Sequence, residues 1–284
     1  MNLQAIEFEL AESPICFGNM WLWVDILASK IYCWKDNKLA SFSFREMPTN
    51  ITLLQDNRHF MVTMESEIIV WDFLHEEGIT LISLNHCEMF RCNDGSVGPD
   101  GKYWFGTMEK APSGLNGRLY SMDSKGNLVD QGAEIGIPNS FIWLDEQFVL
   151  ISDSFLRKTF KVELLESGKL DWGNREVWLD LSHTDGTPDG GAMDADGNVW
   201  IAIWGDASIH KYSPDAFLLE KIELNALQPT SCAFGGVNMD ELLITTATEG
   251  LSSEQLSQYP DSGKVMLRKM DVKGKVLPVF DLEA

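Results

Sequence analysis

Short runs of alternating apolar and polar residues, broken by Gly, Asp, Asn and Pro, fill this chain from end to end. A period of two puts successive side chains on opposite faces of an extended strand. Strands are expected over Trp21–Ile26, Ile31–Trp34, Phe60–Met64, Ile68–Phe73, Tyr103–Met108 and Arg118–Met122. The pattern continues over Phe148–Ser152, Thr159–Glu163, Val199–Ile203, Ile209–Tyr212, Glu241–Thr246 and Lys264–Asp271. Long helical periodicity is missing, so the fold is all-β: a sandwich, a barrel or a propeller.

Internal repetition selects the propeller. Asp100-Gly101-Lys102-Tyr103-Trp104 returns as Asp196-Gly197-Asn198-Val199-Trp200, a shift of 96 residues, and each copy leads into a similar second strand. Half that shift is about 48 residues, within the roughly 40–50 of a four-stranded propeller blade. Ser13-Pro14, Met47-Pro48, Ile137-Pro138, Thr187-Pro188 and Gln228-Pro229 recur in steps of 34, 90, 50 and 41 residues. The step of 90 spans two blades, and its skipped start falls near Arg91-Cys92-Asn93-Asp94. Six starts predict a six-bladed β-propeller with four-stranded blades. No linker or low-complexity stretch interrupts residues 1–284, which predicts one domain.

Composition narrows the partners. The net charge of −21, from 43 acidic and 22 basic residues, repels a nucleic-acid backbone. No window approaches the ~20 apolar residues that span a bilayer, and Met1–Glu12 has no basic region of the signal-peptide kind. The expected partner is a small molecule, with neither nucleic acid nor membrane. Five cysteines without a CxxC pair fit reduced thiols and a cytoplasmic location.

The innermost strand of each propeller blade lines the central channel, so residues at the strand starts converge on one mouth. Glu12, Asn139 and Asp189 lie beside the repeated proline of three different blades, and all three offer oxygen. Two carboxylates and an amide suit Ca²⁺, Mg²⁺ or Mn²⁺ better than a soft metal. Three protein ligands leave coordination positions for water and substrate.

The chain resembles the family of regucalcin (senescence marker protein), gluconolactonase and luciferin-regenerating enzyme. The likeness rests on Glu12-Ser13-Pro14, Trp21-Leu22-Trp23-Val24-Asp25-Ile26, Arg91-Cys92-Asn93-Asp94-Gly95 and Pro99-Asp100-Gly101-Lys102-Tyr103-Trp104-Phe105-Gly106-Thr107-Met108. It continues through Asp153-Ser154, Pro188-Asp189-Gly190 and Pro229-Thr230-Ser231-Cys232-Ala233-Phe234-Gly235-Gly236. The resemblance implies a six-bladed propeller with one divalent cation, calcium foremost and zinc as an alternative. Its ligands fall on Glu12, Asn139 and Asp189, and Asp189 takes the role of general base. Arg91 and Asn93 face the substrate, and Glu109 lies near a third substrate-contacting position. The implied activity is metal-dependent hydrolysis of a small, sugar-type lactone. A calcium-binding propeller platform without catalysis and a phosphotriesterase-like metal hydrolase are the alternatives.

Three departures from the family pattern bear on the site. Ser13 and Ser140 stand where the family has glycine, and Cys16 where an aromatic residue is common. The Cβ of Ser140 resists a turn at positive φ, which predicts a displaced Asn139 loop. His183 and Asp185 lack a Gly-x-Ser-x-Gly nucleophile and read as loop residues. Asp194-Ala195-Asp196-Gly197 lacks the spacing of a calcium loop and reads as a hairpin turn.

Overall fold

The computed structural model describes residues 6–56 and 58–283. Strands β1 (Ala11–Phe17), β2 (Met20–Asp25), β3 (Lys30–Lys35) and β4 (Lys38–Ser43) form the first antiparallel sheet. The second holds β5 (Pro48–Leu53), β6 (His59–Met64), β7 (Glu67–Asp72) and β8 (Glu77–Ser83). The third holds β9 (Phe90–Val97), β10 (Tyr103–Glu109), β11 (Gly117–Met122) and β12 (Leu128–Ile135). The fourth holds β13 (Pro138–Trp143), β14 (Phe148–Asp153), β15 (Lys158–Glu163) and β16 (Glu176–Asp180). The fifth holds β17 (Thr187–Met193), β18 (Val199–Trp204), β19 (Ser208–Tyr212) and β20 (Leu218–Glu223). The sixth holds β21 (Pro229–Gly235), β22 (Glu241–Thr246) and β23 (Met266–Lys269).

These are the six blades of a β-propeller, and each of the six starts found in the sequence opens or lies in the first strand of one. The last blade has three strands among the described residues, where the others have four. After β23 the chain turns away, with Met270 N–H donating to Asp240 O and Gly274 N–H to Met239 O. Gly274 passes so close to the Phe234 ring that a side chain would collide with it. One short helix, α1 (Ser253–Gln258), is closed by a capping box between Ser252 and Gln255. No described helix is long and apolar enough to cross a membrane.

By compactness the chain divides into two units, one formed by the chain up to Pro48 with His183–Val276 and the other by Thr49–Ser182 with Leu277 onward. In the first unit, Trp200, Ile209, Cys232, Phe234, Leu242 and Ile244 form one core cluster. Phe8, Trp23, Tyr32, Leu243 and Val265 form another. Trp23 stacks on Tyr32 at 5.9 Å, and Phe8 meets Trp23 edge-on at 5.6 Å. The second unit has its own pair of clusters, one around Leu54, Met61, Tyr103, Phe105 and Phe280, the other around Trp104, Leu119, Trp143 and Ile151. Phe280 joins by pairing in parallel with Leu54. Every cluster mixes residues of different sheets, because a twisted four-stranded sheet cannot bury its own faces.

Asp194 explains one repeated motif. It is 1% exposed and accepts from Asp196 N, Asn198 N, Asn198 Nδ2 and Trp200 Nε1, and Lys211 Nζ lies 3.3 Å away. The carboxylate organises a β17–β18 hairpin, as expected, with Gly197 at φ 85°.

Candidate active site

Five of the six innermost strands share one local device. In β1, β9, β13, β17 and β21 the register with the second strand slips by one residue near the strand start. The slips follow Glu12, Cys92, Asn139, Pro188 and Pro229. Such a bulge bends the strand and re-aims the side chains beside it. Proline suits these starts because it needs no ladder N–H there.

In the first and fourth blades the device is elaborated in the same way. Asp25 ends β2 opposite Ala11, and Asp153 ends β14 opposite Pro138. Asp25 accepts the N–H groups of Glu9 (3.1 Å) and Leu10 (3.0 Å). Asp153 accepts those of Gly136 (3.0 Å) and Ile137 (3.2 Å), and also Phe155 N. Burial pushes the Asp153 carboxyl up, against the pull of those backbone donors. Each aspartate thus clamps the two amides that lie three and two residues before an expected ligand, Glu12 or Asn139. Each ligand is then followed by a serine in the left-handed region, Ser13 at φ 47° and Ser140 at φ 53°. Ser140 takes up the left-handed turn despite its Cβ. Ser13 N donates to Glu12 Oε2 (2.8 Å) and Ser140 N to Asp94 Oδ2 (2.8 Å), and these bonds offset the cost of the left-handed conformation.

In the second unit Arg91, Asn93 and Asn139 are brought together. Arg91 Nη1 donates to Cys92 O (2.9 Å) and to Asn93 Oδ1. Asn93 Nδ2 donates to Pro138 O and Asn139 Oδ1, both at 2.9 Å, and Asn139 Nδ2 donates to Ser154 Oγ (2.9 Å). All three side chains are buried. Gly106 makes room for the Pro138 ring beside them, since a Cβ there would overlap the ring. Glu109 ends β10 and holds the loop beyond it, accepting from Ser113 N (2.8 Å) and Ser113 Oγ (2.7 Å). The Ser113 hydroxyl keeps its carboxyl below the usual carboxylate range.

A second buried chain lies next to the first. Thr63 Oγ1 meets Tyr103 OH at 2.7 Å, Tyr103 OH donates to Asn50 Oδ1 (3.2 Å), and Asn50 Nδ2 donates to Asp94 Oδ1 (3.0 Å). Asp94 Oδ1 also accepts from Gly95 N (2.8 Å). Burial pushes the Asp94 carboxyl up to about 6, although its hydrogen bonds pull the other way. The sequence alone gives Asn50 no role; the Asn50-Ile51-Thr52 triplet, which has the form of a glycosylation acceptor, is inside β5, and Asn50 is 4% exposed.

In the first unit Glu12 and Asp189 lie on β1 and β17, the two innermost strands that pack on β21. Thr230 Oγ1 on β21 donates to Ala11 O (2.6 Å). On the other side, a side chain at Gly190 would run into Ser231. Asp189 is 8% exposed and Glu12 half-buried. Cys232, buried on β21, has its thiol pushed up to about 12, first by burial and then by the charge of Glu12. His183 and Asp185 are exposed in the loop before β17, as expected.

Among the described residues no three His, Cys, Asp or Glu side chains gather as a metal-binding group. The expected set is of another kind, two carboxylates and one amide. Its donor chemistry fits a hard cation: an amide oxygen has two lone pairs, so Asn139 Oδ1 can hold a cation while accepting from Asn93.

The description SMP-30/Gluconolactonase/LRE-like region matches residues 10–248. A 6-deoxy-6-sulfogluconolactonase of Pseudomonas putida is 29% identical over 263 residues, covering 91% of this chain and 89% of that protein. Human regucalcin is 28% identical over 276 residues, covering 93% and 92%. The crystal structure of a calcium-binding protein, regucalcin, from Agrobacterium tumefaciens superposes with a TM-score of 0.92 at 25% identity, covering 99% of this chain and 97% of that one. The chain belongs to the SMP-30/gluconolactonase/LRE-like family.

Proposed function

We propose that the protein is a divalent-metal-dependent hydrolase that opens a small, sugar-type lactone. The observation that carries the reading is the repeated device. Glu12 and Asn139, oxygen donors on different blades, are each set by an aspartate clamp, a bulge and a left-handed serine. A third donor, Asp189, sits beside the bulge of β17. Similarity to the sulfogluconolactonase and to the calcium-binding regucalcin supports the same assignment.

Glu12, Asn139 and Asp189 would hold the cation, with Ca²⁺ first and Zn²⁺, Mg²⁺ or Mn²⁺ as alternatives. When bound, the cation supplies Lewis-acid polarisation of the lactone carbonyl. Asp189 takes a proton from the attacking water as general base and passes it to the ring oxygen when the ester bond breaks. Arg91, fixed by its bonds to Cys92 O and Asn93, directs guanidinium donors at the oxygens of the ring. Asn93 keeps the Asn139 carboxamide turned in one sense. Glu109, the last residue of β10, contributes a substrate contact.

Acid release from gluconolactone and related sugar lactones, followed with and without chelator, tests the reading. Hydrolysis should stop with chelator and return with added Ca²⁺, and Asp189→Ala should abolish it. Full activity in chelator, or in Asp189→Ala, would overturn the proposal.

A further inference from the structure

The Asp94 carboxylate ties together three innermost strands of one unit. Oδ1 takes Asn50 Nδ2 from β5 and Gly95 N from β9 itself, and Oδ2 takes Ser140 N from β13. The Phe141 amide also donates to it. Two residues along β9 from Asp94, Ser96 Oγ donates to Phe141 O (2.7 Å), so β9 holds the bulge of β13 at more than one backbone group. Ser140 is the residue that costs most in this bulge, because φ 53° crowds its Cβ. Asn139, immediately before it, turns its amide oxygen to Asn93 and its amide nitrogen to Ser154.

We propose that Asp94 is a positioning residue: by clamping the backbone of Ser140 it holds the left-handed bulge that aims the Asn139 oxygen. The inference rests on Asn139 being a cation ligand, as read above. Asp94 does the work that a glycine at position 140 would make unnecessary. It acts through the backbone, by its bond to Ser140 N. Asn50 supports it in turn, since Tyr103 OH (3.2 Å) and Thr52 Oγ1 (3.2 Å) fix the Asn50 oxygen and leave its amide nitrogen facing Asp94.

Asp94→Asn keeps the volume and one acceptor oxygen. Gly95 N and Asn50 can still be served, but an amide nitrogen then faces Ser140 N. Calorimetric titration with Ca²⁺ alone should show affinity about ten- to a hundredfold weaker than in the unaltered protein. Adding Ser140→Gly should restore most of it, which a general loss of packing would not allow. Crystal structures of Asp94→Asn without added metal should show residue 140 outside the left-handed region and the Asn93–Asn139 bond broken. An unchanged bulge and bond in that variant would overturn the inference whatever the protein binds. Unaltered Ca²⁺ affinity in Asp94→Asn, or no recovery in the double variant, would overturn it too. Should the unaltered protein bind none of the four cations, the ligand reading fails, and the crystal structure still decides whether Asp94 sets the bulge.

Discussion

Asn93 Nδ2 donates to Asn139 Oδ1 at 2.9 Å, joining side chains 46 residues apart on β9 and β13. The same nitrogen also serves Pro138 O, so both amide protons of Asn93 are spent on the neighbouring strand. One side chain therefore fixes both the peptide before Asn139 and the sense of its carboxamide. Arg91 fixes Asn93 from the other side. The result is a chain of donors, Arg91 to Asn93 to Asn139 to Ser154, in which each amide has only one orientation that satisfies its neighbours.

Asn93→Ala removes the middle of this chain and leaves the buried Pro138 carbonyl without its partner. On the function proposed above, lactone hydrolysis should fall by about ten- to a hundredfold, the scale seen when a group that orients a metal ligand is lost. The fold should survive, with unfolding free energy lower by about 1–3 kcal/mol for the stranded acceptor. Initial rates at several Ca²⁺ concentrations, beside a urea melt, separate the two effects. A stability loss with unchanged rates would confine Asn93 to a structural role.

Gly190 tests the other unit. Its missing side chain lets β17 lie against Ser231, and a Cβ added there would also come within 3.0 Å of Thr230 O. An added Cβ meets backbone as well as the serine, so the bulge next to Asp189 must shift. Gly190→Ala should lose most hydrolytic activity while the protein still folds, and Ser231→Gly in the same chain should recover part of it. Equal rates for Gly190→Ala and the unaltered enzyme would show that the β17 bulge does not set Asp189.

The strands most legible in the sequence were the second and third of each blade. Runs such as Trp21–Asp25 and Val199–Ile203 are buried along their whole length, and their apolar, β-branched and aromatic residues declare it. The outermost strands were missed because they carry little burial to pattern them: Lys38–Ser43 and Leu218–Glu223 are mostly exposed. The innermost strands were found only through their prolines. Bulges break their alternation, and Pro-Asn-Ser or Pro-Asp-Gly reads locally as a turn. Repetition recovered the strand starts that local pattern hid, and in the folded chain Glu12 and Asn139 hold matching places ahead of the bulges of β1 and β13. The supporting residues had no such signal. Asn50, Asp94 and Ser154 matter through contacts made across 44 to 46 residues, or across a hairpin, and only the folded chain displays them.

Asp194 predicts a large effect on stability with no part in the site. It is buried, it receives backbone and side-chain donors from its own hairpin, and Lys211 lies 3.3 Å away. Asp194→Ala leaves Trp200 Nε1 and Lys211 facing an empty acceptor position. The unfolding free energy in urea should fall by about 3–5 kcal/mol, the cost of breaking a buried charge pair from one side. Asp194→Asn should recover part of that, since the amide oxygen still accepts from the hairpin. A loss below about 1 kcal/mol in Asp194→Ala would mean that solvent replaces the carboxylate, as at a surface pair.

His210 gives the fold a pH dependence of defined sign. Its ring is buried on β19, with Nδ1 2.8 Å from Tyr212 OH and Nε2 3.2 Å from Asp206 Oδ2. Burial holds its pKa below the usual histidine value, and the Asp206 charge only partly opposes that. The folded chain therefore resists a proton that the unfolded chain accepts near pH 6.5. The associated stability is present above that pH and is lost as pH falls toward the lower folded pKa. Asp206 titrates below the ordinary aspartate range and stays ionised throughout the window. Asp94, raised to about 6 by burial, contributes with the opposite sign, but equally in the unaltered protein and in a His210 variant. The comparison between the two isolates the imidazole. Melting temperature should drop more steeply between pH 7 and pH 5 in the unaltered protein than in His210→Gln. Parallel curves would mean that the ring takes up its proton as readily inside the fold as outside it.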